Sequence, residues 1–288
     1  MLIWPGGQSG SIGGGNLEQQ ATNQALRMLA LAEPPAITIQ DYPLGPLLAQ
    51  CCGGRVRLMI EPLGPADSPW LSEADHLDAA GEPFEIRTRL DRGVAPRRAV
   101  SAARADGPSV TVNGDPASAR TPRPSPGDEI VERLIPSPLL RLFGAGHVGQ
   151  AIARAAAPLP FRLQWLDSRP DVAEEAGARW MAPLALAAAA AEPCDFTLIL
   201  THDHALDFAL TDAALAGGGD GFLGLIGSRT KRARFVRRLR EAGHGEAALA
   251  RLVCPIGLPG LEGKDPAIIA VSVTADLLLR RASARARI

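Results

Sequence analysis

The hexapeptide Gly144-Ala145-Gly146-His147-Val148-Gly149 is the segment of this chain best suited to hold a phosphate. Glycines at that spacing have three uses. The first permits a tight turn, the second lets backbone approach a pyrophosphate, and the third lets a helix pack against a strand. A helix that opens at such a loop turns N–H groups and positive dipole toward an anion. The segment follows the apolar run Leu139–Phe143, and Asp167 closes the next such run 18 residues after Gly149. A carboxylate there can accept from a ribose hydroxyl, so Gly144, Gly146, Gly149 and Asp167 complete a dinucleotide-binding pattern. A Rossmann unit that has lost its nucleotide would carry the same residues.

A second glycine segment, Ser9-Gly10-Ser11-Ile12-Gly13-Gly14-Gly15-Asn16, precedes a predicted helix. Gly13, Gly14 and Gly15 can turn successive N–H groups to an anion; they can equally form a flexible loop leading to a helix cap. Gln50-Cys51-Cys52-Gly53-Gly54 sets two soft thiols beside two glycines. Neighbouring Cα atoms lie about 3.8 Å apart, below the usual disulfide range, so Cys51 and Cys52 should stay thiols. Two cysteines do not complete a tetrahedral zinc or iron–sulfur set. They can ligate a metal whose other ligands arrive with a cofactor, act in redox chemistry, or be structural. Gly53 and Gly54 point to close approach of something to the backbone.

Two further clusters fall near predicted strand ends. Thr201-His202-Asp203-His204, with Asp207, sits where doubly wound sheets bind ligands. Two His and two Asp could bind metal, but their spacing fits no standard ligand set; capping and turn formation are the other reading. Gly227-Ser228-Arg229 leads into a helix carrying Lys231, Arg232, Arg234, Arg237, Arg238 and Arg240. Ser228 suits an N-cap, and Arg229 is placed to meet a phosphate. The other cations form a solvated face or a docking face for an acidic partner.

These residues need an α/β framework. Short apolar runs at Leu139–Phe143, Arg162–Asp167, Phe196–Thr201 and Phe222–Ile226 alternate with predicted helices near 148–157, 205–216, 230–242 and 266–281. Such alternation implies a parallel sheet covered on both faces, a Rossmann-like unit. Upstream, a helix near 17–32 and strands near 1–4, 36–40, 56–61, 85–90, 109–113 and 129–135 suggest an α+β domain. The proline-rich stretch around Asp115–Pro126 and then Pro136 and Pro138 set the boundary, giving domains 1–136 and 137–288. A length of 288 residues suits two domains.

Bulk properties exclude other classes. A net charge of −1 argues against nucleic acid and membrane surface as partners. The first residues, Met1-Leu2-Ile3-Trp4-Pro5-Gly6, lack the pattern of a signal peptide. The longest Ala/Leu-rich run, about Trp180–Ala191, is shorter than the roughly 20 residues of a membrane span. Cys51, Cys52, Cys194 and Cys254 form no secreted disulfide framework, so a reducing cytoplasm is the expected compartment.

Taken together, these motifs make the chain resemble the XdhC/CoxI family of xanthine dehydrogenase accessory proteins. The resemblance rests on Gly10-Ser11-Ile12-Gly13-Gly14-Gly15 with Leu17-Glu18, on Gly45-Pro46 before Cys51-Cys52-Gly53-Gly54, and on Phe143–Gly149. It continues through Thr201–His204, Gly224–Arg229, Pro255-Ile256-Gly257-Leu258 and Ala270–Val273. It implies a molybdenum cofactor chaperone, not an enzyme. Such a protein binds the molybdopterin cofactor, supports its sulfuration by a cysteine desulfurase, and helps insert it into xanthine dehydrogenase. On that resemblance Cys51 or Cys52 meets the metal and the glycines meet the pterin phosphate; the dinucleotide pattern leaves room for a nucleotide as a further ligand of the Rossmann unit. A homo-oligomer is also expected. Family members carry a strand and a Gly-Ser-x-Pro-Arg segment upstream of the strand in which Met1 lies, so the expected natural start lies before Met1 or the domain is shortened. The alternative function is an NAD(P)-dependent oxidoreductase. No Lys/Tyr or His/Asp pair in the second domain stands out as its hydride-transfer acid.

Overall fold

The computed structural model describes residues 1–43, 54–92, 94–104, 109–118, 120–218, 221–261 and 263–285. Cys51, Cys52 and Gly53, on which one reading of the sequence turns, lie outside them. The chain divides into two compact units, Met1–Pro136 and Ser137–Ile288.

The first unit begins with a hairpin of β1 (Leu2–Trp4) and β2 (Gly7–Ser9), followed by helix α1 (Gly15–Leu29). Leu17, Ala21 and Met28 recur at helical spacing and are buried, which is why this segment is helical and packed. An antiparallel ribbon follows, β3 (Thr38–Pro43) with β4 (Arg55–Ile60). Helix α2 (Ser68–Ala80) leads to strands β5 (Phe84–Arg89), β6 (Arg97–Ala102), β7 (Ser109–Val112), β8 (Asp115–Pro116) and β9 (Glu129–Leu134). These form an antiparallel sheet in the order β6-β5-β9-β7-β8. The predicted α+β character is observed. Helix α2 and strand β6 were not anticipated. Only Leu77 of α2 is buried, so no apolar stripe marks it, although Pro69 near its start and a left-handed Gly81 after its end are boundary signals.

The second unit is a parallel sheet flanked by helices. Its elements are β10 (Leu139–Phe143), α3 (His147–Ala156), β11 (Arg162–Asp167), α4 (Pro170–Ala176), β12 (Arg179–Trp180), α5 (Pro183–Ala191), β13 (Phe196–Ile199), α6 (His204–Ala216), β14 (Phe222–Leu225), α7 (Arg229–Glu241), α8 (Glu246–Ala250), β15 (Leu252–Val253) and α9 (Pro266–Arg285). Strand order is β12-β11-β10-β13-β14-β15, every pair parallel. Numbered within the unit this is 3-2-1-4-5-6, the doubly wound order whose crevice opens between the first and fourth strands. Alternate strand residues go to opposite faces. Phe143, Ile199 and Leu225 join the core with Leu210 of α6 and Leu239 of α7. Leu142 and Leu198 join Ile152 of α3 and Val273 and Leu277 of α9. No described helix is long and apolar enough to cross a membrane.

Arg141 is an exception to the apolar rule. It is buried in β10 and donates to Gln164, to the carbonyls of Ala189 and Glu192, and to the Glu192 carboxylate. It thereby ties the central strand to the end of α5. Arg141→Met fills similar volume but leaves the buried Ala189 carbonyl, and the half-buried Gln164 and Glu192 carbonyls, without donors, a buried one costing roughly 1–3 kcal/mol. We expect a loss of about 2 kcal/mol or more by urea denaturation; an unchanged midpoint would show that these bonds are replaced by water.

Candidate functional site

The glycine loop after β10 is built by close approaches that only glycine allows. Gly144 has φ +120°, and a Cβ there would lie 2.2 Å from the Leu200 carbonyl oxygen. A Cβ at Gly149 would lie 2.0 Å from the Gly144 carbonyl oxygen, so α3 is seated directly on the loop. Gly146 differs. It precedes α3 with ordinary extended backbone, and a Cβ there would meet nothing within 4 Å. The second glycine therefore borders open space at the helix start, where N–H groups have no carbonyl of an earlier turn to reach. That is the geometry a phosphate needs.

The loop is pinned from several sides. Gly144 N–H donates to the Leu166 carbonyl at 2.8 Å, and the Trp165 indole donates to the Gly144 carbonyl at 3.0 Å. Ala145 N–H donates to Asp167 at 2.6 Å. Asp167 is thus not turned out toward a ribose, the role expected for it. Its carboxylate is 3% exposed and also accepts from Arg169, through the backbone N–H at 2.8 Å, Nε at 3.0 Å and Nη2 at 2.8 Å. Burial alone would raise its pKa, but the Arg169 and Ala145 hydrogen bonds outweigh burial and hold it below the ordinary value.

Across the crevice, Thr201–Asp207 is a capping and bracing cluster among the described side chains. Asp203 caps α6 by accepting from Ala205 N–H at 2.7 Å. Buried Asp207 accepts from the Thr201 N–H at 3.0 Å and hydroxyl at 2.7 Å, and pairs with Lys231 at 2.6 Å. Lys231 also donates to the Ile226 carbonyl. The anticipated solvated role of Lys231 is therefore corrected: it is a brace between α6 and α7. His202 is exposed, and no group of three or more metal-ligating side chains occurs among the described residues. Ser228 caps α7 through Lys231 N–H, as expected. Arg229 lines a cleft of about 960 Å³ with Gly227, Ile256, Gly257 and Lys264. Of the other α7 cations, Arg238 lies over the Phe208 ring and Arg240 pairs with Glu246, while Arg234 is exposed.

In the first unit, the loop before α1 closes on itself. Glu18 accepts from the Ser11 hydroxyl, from Ile12 N–H and Gly14 N–H at 3.1 Å each, and from Gln8. Gly13 N–H donates to Ser11. Gly13, Gly14 and Gly15 have φ of 114°, 74° and 64°, so they supply left-handed backbone. The donors expected to meet a ligand's phosphate at Gly13 and Gly14 are already used, and Glu18 adds a negative charge that repels one. The Ser11 hydrogen bond and then the Ile12 N–H lead in holding the Glu18 carboxyl below its ordinary range. Gly54, the described end of the Cys-Cys-Gly-Gly segment, is exposed just before β4.

Sequence reasoning missed Arg169, the role of Glu18 as the acceptor of its own loop, and the pairing of Asp207 with Lys231. The signals were an arginine two residues after the fingerprint carboxylate and a glutamate in the first turn after a glycine run.

Gly149→Ala should lose about 2 kcal/mol or more because its Cβ meets backbone, while Gly146→Ala should stay within about 1 kcal/mol; equal losses by urea denaturation would contradict the division of roles. Asp167 has a depressed folded pKa, so its stabilisation is complete above the ordinary value of 3.8 and is lost as pH falls through the folded value. Asp167→Asn should remove that part of the acid-induced drop in Tm; an unchanged acid limb would count against it.

Residues 140–277 match the family model of the XdhC Rossmann domain. The uncharacterized protein YqeB of Escherichia coli (strain K12) is 37% identical over 158 residues, covering 49% of this chain and 27% of that relative. The match thus spans little more than a quarter of the relative's own length. A solved protein described as a xanthine dehydrogenase from Bacillus halodurans aligns over 97% of this chain and 84% of its own, with a TM-score of 0.68 at 21% identity. That likeness concerns the fold. The family match bears out the resemblance drawn from the motifs: over residues 140–277 this chain is similar to the XdhC Rossmann domain.

Proposed function

We propose that this chain is a molybdenum cofactor-binding accessory protein, not an enzyme. It holds and shields the cofactor, supports its sulfuration by a cysteine desulfurase, and helps insert it into a xanthine dehydrogenase. The observation that carries this reading is the XdhC Rossmann unit with a glycine loop whose second glycine borders open space. The Cys51-Cys52-Gly53-Gly54 segment supports it from the sequence.

Residue roles follow from chemistry. Cys51 and Cys52 would supply soft thiolate to the metal region, and Gly53 and Gly54, lacking side chains, would let a ligand approach the chain beside them. Cys194 and Cys254 are poor substitutes, because burial raises both thiols above the ordinary range. In the Rossmann unit, Gly146 and the start of α3 would hold a phosphate-bearing ligand, with Gly144 and Gly149 shaping the loop and Arg229 offering a cation in its cleft. Gly13, Gly14 and Gly15 are assigned a conformational role, since Glu18 occupies their loop. When bound, the cofactor supplies the molybdenum centre and its dithiolene sulfurs. The exposed side of α7, Arg234 above all, is the proposed approach for an acidic client surface. The protein is proposed to act in the cytoplasm as a homo-oligomer.

Cys51→Ser and Cys52→Ser keep size but remove the soft ligand. We expect one variant to lose copurifying pterin and molybdenum while retaining its fold by circular dichroism, and the other to be mild. Stoichiometric cofactor in both single variants and in the double variant would make the thiols structural. Turnover of NAD(P)H with a simple carbonyl substrate would instead favour an oxidoreductase.

A further inference from the structure

We infer that Arg169 is the specificity-determining residue of the Rossmann crevice and selects a ligand carrying a phosphomonoester dianion over one offering a bare ribose diol. The inference rests on the proposed reading of the glycine loop as a phosphate site and adds what the ligand must carry beside it.

A carboxylate that ends the second strand of a doubly wound sheet reads a ribose diol only if an oxygen is free to accept. Here one oxygen of Asp167 takes the Ala145 N–H and Arg169 Nη2, and the other takes the Arg169 N–H and Nε. With a side chain only 2% exposed, Asp167 is sealed behind Arg169. A diol would have to displace a bidentate, charge-assisted pair to reach it.

The same pair changes the sign of the local field. An unpaired carboxylate at this place repels a second phosphate, whereas a paired one is neutralised. Arg169 retains 32% of its side-chain exposure. Its fork uses Nε and one N–H of Nη2 toward Asp167. A planar guanidinium has five donors, so the opposite edge, Nη1 with the second N–H of Nη2, faces away from that carboxylate. Paired donors on one planar edge match two phosphate oxygens. One Asp167 oxygen bridges Arg169 and the loop N–H of Ala145, so this edge is held close to the glycine loop. Just beyond, the Trp180 indole donates to the Ser168 carbonyl at 3.2 Å and is 52% exposed, giving a flat ring surface one residue from Arg169.

The dianion can come from a ribose phosphate of a nucleotide or from the terminal phosphate of a pterin cofactor. The test titrates the purified full chain with NADP+ and with NAD+ by calorimetry, and measures copurifying pterin by fluorescence after oxidation. If the source is a nucleotide, NADP+ binds at least tenfold tighter than NAD+, and Arg169→Gln brings the two within about twofold. If the source is a pterin, neither dinucleotide binds, wild type carries pterin, and Arg169→Gln loses it. Arg169→Lys keeps the charge without the fork and should retain only part of either effect, which separates recognition from a folding defect. NAD+ binding as tightly as NADP+, or Arg169→Gln keeping its discrimination or its pterin, overturns the inference and leaves the glycine-loop reading standing. No dinucleotide binding and no pterin in wild type overturns both.

Discussion

The second unit depends on a contact between backbone atoms with no side chain between them. Gly144 turns against the Leu200 carbonyl, and Gly149 lets α3 rest on the Gly144 carbonyl. Each approach is closer than any Cβ permits, so three elements, β10, β13 and α3, meet at one point only because two residues lack side chains. That point lies at the topological switch of the sheet, between its first and fourth strands. The open space beside Gly146 is a consequence. With the loop fixed on both flanks, the glycine between them is left bordering solvent at a helix start.

Charges then refine this frame. Asp167 holds the loop through Ala145 and is itself neutralised by Arg169. Asp207 holds Thr201, the residue after Leu200, and is neutralised by Lys231. Both flanks of the crevice are thus braced by a buried carboxylate whose charge is met by one cation. Removing either cation would leave an uncompensated buried charge, a larger loss than the pair itself contributes. In the first unit a carboxylate without a cation among the described residues, Glu18, gathers the N–H groups of its own glycine loop.

Much of the second unit was legible because burial on both faces writes an uninterrupted apolar strand. Leu139–Phe143 and Arg162–Asp167 were read with the bounds the structure shows. Strands β12 and β15 have two residues each and were not, since no periodicity survives at that length. The turn and packing uses of Gly144 and Gly149 were legible from spacing alone. Side-chain direction was not. Asp167 looks the same in sequence whether it faces a ribose or its own loop, and Glu18 reads equally as a first-turn helix charge or as the anion its loop encloses. The cysteine segment remains a reading of residue types, as Cys51, Cys52 and Gly53 fall outside the described residues.

The proposed role requires that this chain carry a molybdenum-containing pterin. The most direct test is to purify the full chain from a host that makes the cofactor, denature it, and measure released molybdenum by mass spectrometry and released pterin by fluorescence after oxidation. Both are expected, in near-equal amounts and approaching one per chain. Absence of both from protein purified without oxygen, from cells shown to contain the cofactor, would contradict it.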